Sequence, residues 1–105
     1  MSALLDVCPL DELAPGSCLV VEWEGDPIGV FNCDGEILAM EDRCSHDGAP
    51  LAEGILDAEN RMIECPRHGA IFDLRSGIPT TLPAYLPVET FPVVIEDGLI
   101  KIEVD

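Results

Sequence analysis

Short runs rich in Val, Ile and Leu recur along the chain, and Gly, Pro and Asp residues separate them. Runs of roughly four to eight such residues between turn residues are typical of the strands of a small β domain. The pattern predicts six strands, over residues 17–23, 28–33, 36–41, 62–65, 91–96 and 99–104.

Two of the separating segments have the composition of tight hairpin turns. Asp34 and Gly35 stand between two apolar runs, and Asp97 and Gly98 do the same near the end of the sequence. An Asp-Gly pair suits a two-residue turn because both residues tolerate positive φ. After the second turn the residues alternate, so that Ile100, Ile102 and Val104 are expected on one face of the last strand.

Helical character is almost absent from the pattern. Residues 9–14 and 51–55 could each form one helical turn. Prolines at 79, 83, 87 and 92 predict an extended, stiff connector after Gly77 rather than a helix or a central strand. The fold class predicted from the residues is therefore all-β.

The 105 residues are enough for one domain, and 48% of them are hydrophobic, which argues against disorder. The formal charge of −16, from 21 acidic and five basic residues, disfavours nucleic acid and anionic membranes as partners. An acidic surface suits docking onto a basic patch of another protein, but it also suits simple solvation. Composition does not choose between these two interpretations.

The charge is unevenly distributed. Residues 43–75 hold four arginines against six acids, a net charge of −2, whereas the rest of the chain carries −14. The first residues include neither a basic residue nor a long apolar run, so we expect a cytoplasmic protein without a membrane anchor. Five cysteines is an odd number, which points to metal or redox chemistry rather than a disulfide framework.

The nearly neutral segment contains the candidate ligands Cys44, His46, Cys65 and His68. They form a C-x-H pattern, then eighteen residues, then C-x-x-H. Thiolate and imidazole are ligands that iron and zinc prefer. Glycine and proline close each short loop, which allows the backbone to approach a cluster and donate N–H groups to it.

These residues resemble the Rieske family, with Pro66 after the second Cys and Gly69 after the second His. The resemblance covers the full chain and implies one domain, 1–105, with a β-sandwich or partly open barrel and a cluster-binding subdomain at about 43–83. It implies that Cys44 and Cys65 bind one iron of a [2Fe–2S] cluster, and that His46 and His68 bind the other.

Within that family the chain is similar to the soluble ferredoxins of bacterial ring-hydroxylating oxygenase systems. The resemblance implies an electron carrier, not an enzyme on its own, with a flavin-dependent NAD(P)H reductase and a terminal oxygenase as partners. We expect a monomer.

The chain departs from the high-potential Rieske proteins of respiratory complexes at four positions. Those proteins have two further cysteines and two hydroxyl side chains where this chain has Ala49, Arg67, Ala70 and Phe72. Hydrogen bonds to the cluster sulfurs stabilise the reduced state, so their loss lowers the potential. We therefore predict a midpoint near the low end of the Rieske range, at about −150 mV.

Other interpretations remain. Two Cys and two His could hold zinc, although zinc fingers usually pair like ligands. A redox sensor or accessory protein, or a relative of the nitrite reductase small subunit, would share the fold. Arg43 and Arg67 could be solvated or ion-paired, or could contact a redox partner or tune the cluster potential electrostatically. Cys8, Cys18 and Cys33 are assigned no function, and Trp23 and Phe31 are expected to pack rather than to conduct electrons.

Overall fold

In the computed structural model, which describes residues 3–46, 48–67, 69–82, 84 and 86–104, the chain forms ten β-strands and two single turns of 3₁₀-helix. The helical turns are Leu10–Glu12 and Leu51–Glu53. The strands are β1 (Ala3–Pro9), β2 (Cys18–Trp23), β3 (Asp26–Cys33), β4 (Glu36–Glu41), β5 (Ile55–Asp57), β6 (Met62–Glu64), β7 (Ile71–Asp73), β8 (Thr90–Phe91), β9 (Val93–Glu96) and β10 (Leu99–Val104).

These strands form three antiparallel sheets. Sheet A has the order β1-β10-β9, sheet B has the order β2-β3-β4-β8, and sheet C has the order β5-β6-β7. The chain crosses from sheet B to sheet A at Pro92, and among the described residues the sheets do not close into a barrel. The prediction of an all-β sandwich or partly open barrel is confirmed.

Sheet B lies between two hydrophobic cores. Its β3 is buried from Ile28 to Cys33 without alternation. Since neighbouring side chains of a strand point to opposite faces, this run serves both cores. The sandwich core packs one face of sheet B against sheet A, and includes Ile28, Val30, Ala39, Ile100 and Ile102. The loop-side core packs the other residues of sheet B against sheet C, and includes Phe31, Met40, Ile63 and Phe72.

The predicted strands are largely confirmed. The intervals 36–41 and 99–104 match β4 and β10, and Ile100, Ile102 and Val104 are buried as expected. Both Asp-Gly turns have positive φ at each residue, 53° and 99° at the first and 52° and 77° at the second. A third turn of this kind, Glu24-Gly25 between β2 and β3, was not predicted because its first residue is Glu.

The prediction of one strand over 91–96 is wrong. Pro92 divides it into β8, which pairs with β4, and β9, which pairs with β10. Proline has no N–H for a sheet ladder, and its carbonyl accepts a hydrogen bond from the N–H of Glu103 at 2.9 Å. The proline therefore stands where the chain changes sheets.

Three strands were not predicted. β5 and β7 have three residues each, too few for a periodic pattern. β1 is mostly exposed or half-buried, and its register with β10 shifts between Asp6 and Cys8. Both predicted helical turns are present as 3₁₀ turns, and residues 74–82, 84 and 86–89 contain no helix or strand, as the prolines predict.

Within the described residues, no helix has the length and apolar character needed to cross a lipid bilayer. Phe31 is fully buried and Trp23 packs partly buried against the sandwich core, which confirms packing roles for both.

Glu36 connects sheet B to sheet C. Its Oε1 accepts hydrogen bonds from Arg61 Nε at 2.9 Å and from an Nη of Arg75 at 2.6 Å. Arg61 lies in the turn before β6, and Arg75 follows β7. The hydrogen bonds from Arg75 and Arg61 lower the pKa of Glu36 from its ordinary 4.5 to about 2.

This pair of contacts predicts a pH-dependent contribution to stability. The Glu36 pKa is lower in the folded chain, so its stabilisation is present above pH 4.5 and is lost as the pH falls towards 2. We expect the free energy of unfolding of wild type to exceed that of Glu36→Gln most near neutral pH, and the difference to shrink on acidification. Urea unfolding followed by circular dichroism measures it. The control is Glu22→Gln, because Glu22 has no ion pair to a described residue. An equal pH dependence of stability in both variants would contradict the role given to the Glu36 ion pairs.

Candidate metal centre

Two loops with the same backbone pattern carry the predicted ligands. The first loop, residues 44–49, lies between β4 and β5, and the second loop, residues 65–70, connects β6 to β7. In the first, the N–H of Cys44 donates to Ala49 O and Cys44 O accepts from Gly48, both at 2.8 Å. In the second, the N–H of Cys65 donates to Ala70 O at 2.7 Å, and Cys65 O accepts from Gly69 at 3.2 Å. Each cysteine is therefore held on both sides of its backbone by its own loop.

A glycine followed by a buried alanine closes each loop. Gly48 has φ 77° and Gly69 has φ 72°, and a Cβ at either would meet no atom within 4 Å. Glycine is therefore required for backbone conformation and not for space. The sequence carries the corresponding signal as a Gly-Ala pair four and five residues after each cysteine.

The two cysteines lie inside the protein and His46 lies at its surface. Cys44 is 2% exposed and Cys65 is 1% exposed, and both belong to the loop-side core. The His46 side chain is exposed. His68 and Asp47 lie outside the described residues, so the structure places three of the four predicted ligands.

No disulfide joins the five cysteines, all of which lie in described segments. No group of three or more His, Cys, Asp or Glu residues suitable for one metal ion occurs among the described residues. The donors themselves, two buried thiols and imidazole nitrogen, are those of a mixed Cys and His iron–sulfur site. On its chemistry this donor set fits a [2Fe–2S] cluster.

Contacts outside the two loops hold the first loop in place. The buried Asp42 receives a hydrogen bond from the N–H of Ala52 at 2.7 Å, and its own N–H donates to Pro27 O at 3.0 Å. Ser45 Oγ donates to Leu86 O at 2.6 Å, which joins the loop to the proline-rich connector. Sequence reasoning missed Asp42, since a carboxylate at the end of a strand carries no pattern of its own.

Three of the four positions that distinguish this chain from high-potential Rieske proteins are buried. Ala49, Ala70 and Phe72 are buried, at 1% exposure or less, and Arg67 is exposed. Arg43 is exposed and forms ion pairs with Asp26 at 3.3 Å and Glu41 at 3.7 Å. Arg67 has no ion pair with another residue in the described part of the chain.

The three remaining cysteines pack in the cores. Cys33 is fully buried, and burial is the main cause that raises its thiol pKa. Cys18 is half-buried with its pKa raised by burial and by Asp42, and its thiol donates to Ala52 O at 3.4 Å. Cys8 is partly buried against the sandwich core. Raised pKa values mean that these thiols carry little thiolate, which suits packing roles.

Comparisons with known proteins identify the family of the chain. The model of the Rieske [2Fe-2S] domain family matches residues 3–92. The 3-phenylpropionate/cinnamic acid dioxygenase ferredoxin subunit of Photorhabdus laumondii is 47% identical over 100 residues, which cover 95% of this chain and 93% of that protein.

Solved structures show the same similarity. A chain in the complex of reduced oxygenase and oxidized ferredoxin in carbazole 1,9a-dioxygenase has a TM-score of 0.89 and 34% identity, covering 94% of this chain and 91% of its own. A putative NADH-dependent nitrite reductase small subunit from Mycobacterium tuberculosis has a TM-score of 0.85 at 24% identity, covering 100% and 97%. The latter likeness shows the fold alone. With the family model and a relative at 47% identity, the chain belongs to the Rieske [2Fe-2S] domain family.

Proposed function

We propose that the chain is a low-potential Rieske ferredoxin, which accepts single electrons from a flavin-dependent NAD(P)H reductase and delivers them to a terminal ring-hydroxylating oxygenase. The observation that carries the proposal is the matched pair of loops, each with a buried cysteine held by the backbone of its own loop. Cys44 and Cys65 would bind one iron of a [2Fe–2S] cluster, and His46 and His68 the other.

When bound, such a cluster supplies a one-electron redox centre. The chain's own residues provide its surroundings. Cys44 and Cys65 present their sulfurs from the loop-side core, where water is excluded. The exposed side chain of His46 is accessible to a partner protein. The closed loops restrict backbone movement on both sides of each cysteine, which suits a carrier that must change little on reduction.

The names of two similar proteins support an oxygenase as a partner. The Photorhabdus laumondii protein is a ferredoxin subunit of a dioxygenase, and the carbazole 1,9a-dioxygenase structure contains a ferredoxin with its oxygenase. A carrier that reduces an oxygenase must itself be reduced, and the flavin-dependent NAD(P)H reductase is the proposed electron donor. A cytoplasmic location and a monomeric state remain predictions, as does the subdomain boundary at about 43–83.

We predict a midpoint potential near −150 mV, the low end of the Rieske range. The apolar side chains of Ala70 and Phe72 have no hydroxyl with which to donate a hydrogen bond to a sulfur, and both are fully buried. A redox titration of the holoprotein followed by electron paramagnetic resonance measures the midpoint. A value above zero would contradict the low-potential assignment.

The function is tested in two steps with the purified holoprotein. Electron paramagnetic resonance of the dithionite-reduced protein should give the low average g value of a Rieske cluster, whereas a zinc protein would be colourless and silent. Stopped-flow mixing of the reduced protein with an oxygenase component should then give reoxidation at a rate that supports turnover. A cluster that no oxygenase reoxidises would instead favour the redox-sensing or accessory function.

A further inference from the structure

A small cavity opens beside the start of the first loop. Its volume is about 160 Å³, and its apolar walls come from Trp23, Pro27, Ile28 and Phe91. Trp23 is paired with Asp26, and Ile28 with Glu41, so these side chains share one face of sheet B. Because Ile28 belongs to the sandwich core, the cavity is an extension of that core to the surface.

The rim of the cavity is strongly acidic. It includes Glu24, Asp26, Glu41 and Glu89, of which all but Glu41 are exposed. The N–H of Glu41 donates to Glu89 O at 2.8 Å, which holds the end of β4 against the residue that precedes β8. Apolar walls below a ring of carboxylates suit a side chain with a long aliphatic stem and a cationic head.

The size of the cavity restricts what can enter it. A cavity of about 150 Å³ accepts a group the size of benzene, whereas pockets for small-molecule ligands usually measure about 300–1,000 Å³. A volume of about 160 Å³ therefore suits one side chain and not a substrate molecule.

The chain's own Arg43 shows that these carboxylates bind a guanidinium group. It pairs with Asp26 at 3.3 Å and Glu41 at 3.7 Å from outside the cavity, since it is not a lining residue. Glu24 and Glu89 have no ion pair with any residue in the described segments. One cation against four carboxylates leaves a net charge of −3 at the rim, and the Trp23 and Phe91 rings can add cation–π attraction.

We propose that this cavity receives a lysine or arginine side chain of the oxygenase component when the two proteins dock. The inference rests on the proposed function and adds the contact that positions the partner. Glu41 precedes Cys44 by three residues, so their Cα atoms are at most about 11 Å apart. A basic side chain bound here holds the partner surface beside the first loop.

The test measures the dissociation constant between the oxidised holoprotein and the oxygenase component by isothermal titration calorimetry. The double variant Glu24→Gln, Glu89→Gln removes two rim charges without touching the partners of Arg43. The control double variant Asp11→Asn, Asp97→Asn removes two charges from residues that do not line the cavity. We expect the first to raise the dissociation constant about tenfold and the second less than about threefold.

An uncharged variant separates a fitted side chain from general attraction. Trp23→Leu keeps the net charge but removes an aromatic wall, and we expect it to weaken binding several-fold as well. If Trp23→Leu does not retain its cluster absorbance, Phe91→Leu replaces it. Equal effects of the two double variants, or no effect of the aromatic variant, would overturn the proposal.

The outcome also distinguishes this inference from the proposed function. If the wild-type protein neither binds an oxygenase nor is reoxidised by it, the proposed function fails. If the wild-type protein binds and the cavity variants behave like the control, only the cavity assignment fails. An effect seen with the reductase and not with the oxygenase would overturn the choice of partner.

Discussion

Replacing Cys65 with alanine is expected to yield a folded protein with no [2Fe–2S] cluster. Cys65 is 1% exposed, and its backbone is held by Ala70 and Gly69, so the second loop keeps its hydrogen bonds without the thiol. Outer contacts of metal sites usually contribute about 10–100-fold in affinity, and a direct ligand contributes more. Iron content, visible absorbance and the paramagnetic resonance signal should all fall to about a tenth of wild type or less.

The matched control is Cys8→Ala. Cys8 lies in β1, partly buried against the sandwich core and away from the loop-side core. This variant should retain the full cluster, with a modest loss of stability from the removed sulfur. A Rieske signal retained by Cys65→Ala, or lost by Cys8→Ala in a folded protein, would contradict the proposed ligands.

Gly54→Ala is expected to cause a large loss of stability although it replaces no ligand. Gly54 has an ordinary φ of −85°, but a Cβ there would overlap the carbonyl oxygen of Glu64. That oxygen belongs to β6, which pairs with β5 directly after Gly54. Either the backbone of sheet C shifts or the clash remains, and we expect a cost of about 3 kcal/mol or more. Urea unfolding of the holoprotein measures it.

Gly25→Ala provides the opposite case. Gly25 has φ 86°, and a Cβ there would meet no atom within 4 Å. Its substitution therefore costs only the strain of a left-handed residue, about 1–2 kcal/mol. Because Gly54 precedes sheet C, its substitution should also weaken cluster retention, which Gly25→Ala should not. Equal losses of stability in the two variants would show that the contact with Glu64 is relieved at little cost.

The chemistry of the site could be predicted from the sequence more completely than its architecture. Thiol and imidazole ligands are uncommon residues, so their concentration in two loops is informative without a structure. The Gly-Ala pairs that close both loops stand in the sequence, but the hydrogen bonds that they complete, such as that from Cys44 to Ala49, are visible only in the structure. The position of His68 remains a prediction from the motif alone.

The fold shows a similar division. Strands with a clear hydrophobic pattern, such as β4 and β10, were predicted to the residue. The three-residue strands of sheet C are too short to show a periodic pattern, and they form because they pair with one another. β3 is buried on both faces, so its residues do not show the alternation expected of a half-exposed strand. The change from sheet B to sheet A at Pro92 depends on which strands pair in the folded chain, and the apolar run over 91–96 gives no sign of it.

The pairing of β1 with β10 has a consequence for the order in which the chain folds. Ala3 pairs with Val104, so sheet A joins segments from opposite ends of the sequence. It can form only after residue 104 has left the ribosome. Sheet C needs nothing beyond Asp73, where β7 pairs with Met62 of β6. Pairing between distant segments is slower than local pairing. We therefore expect the hairpin that carries Cys65 to form during synthesis, and the acidic sandwich to close last.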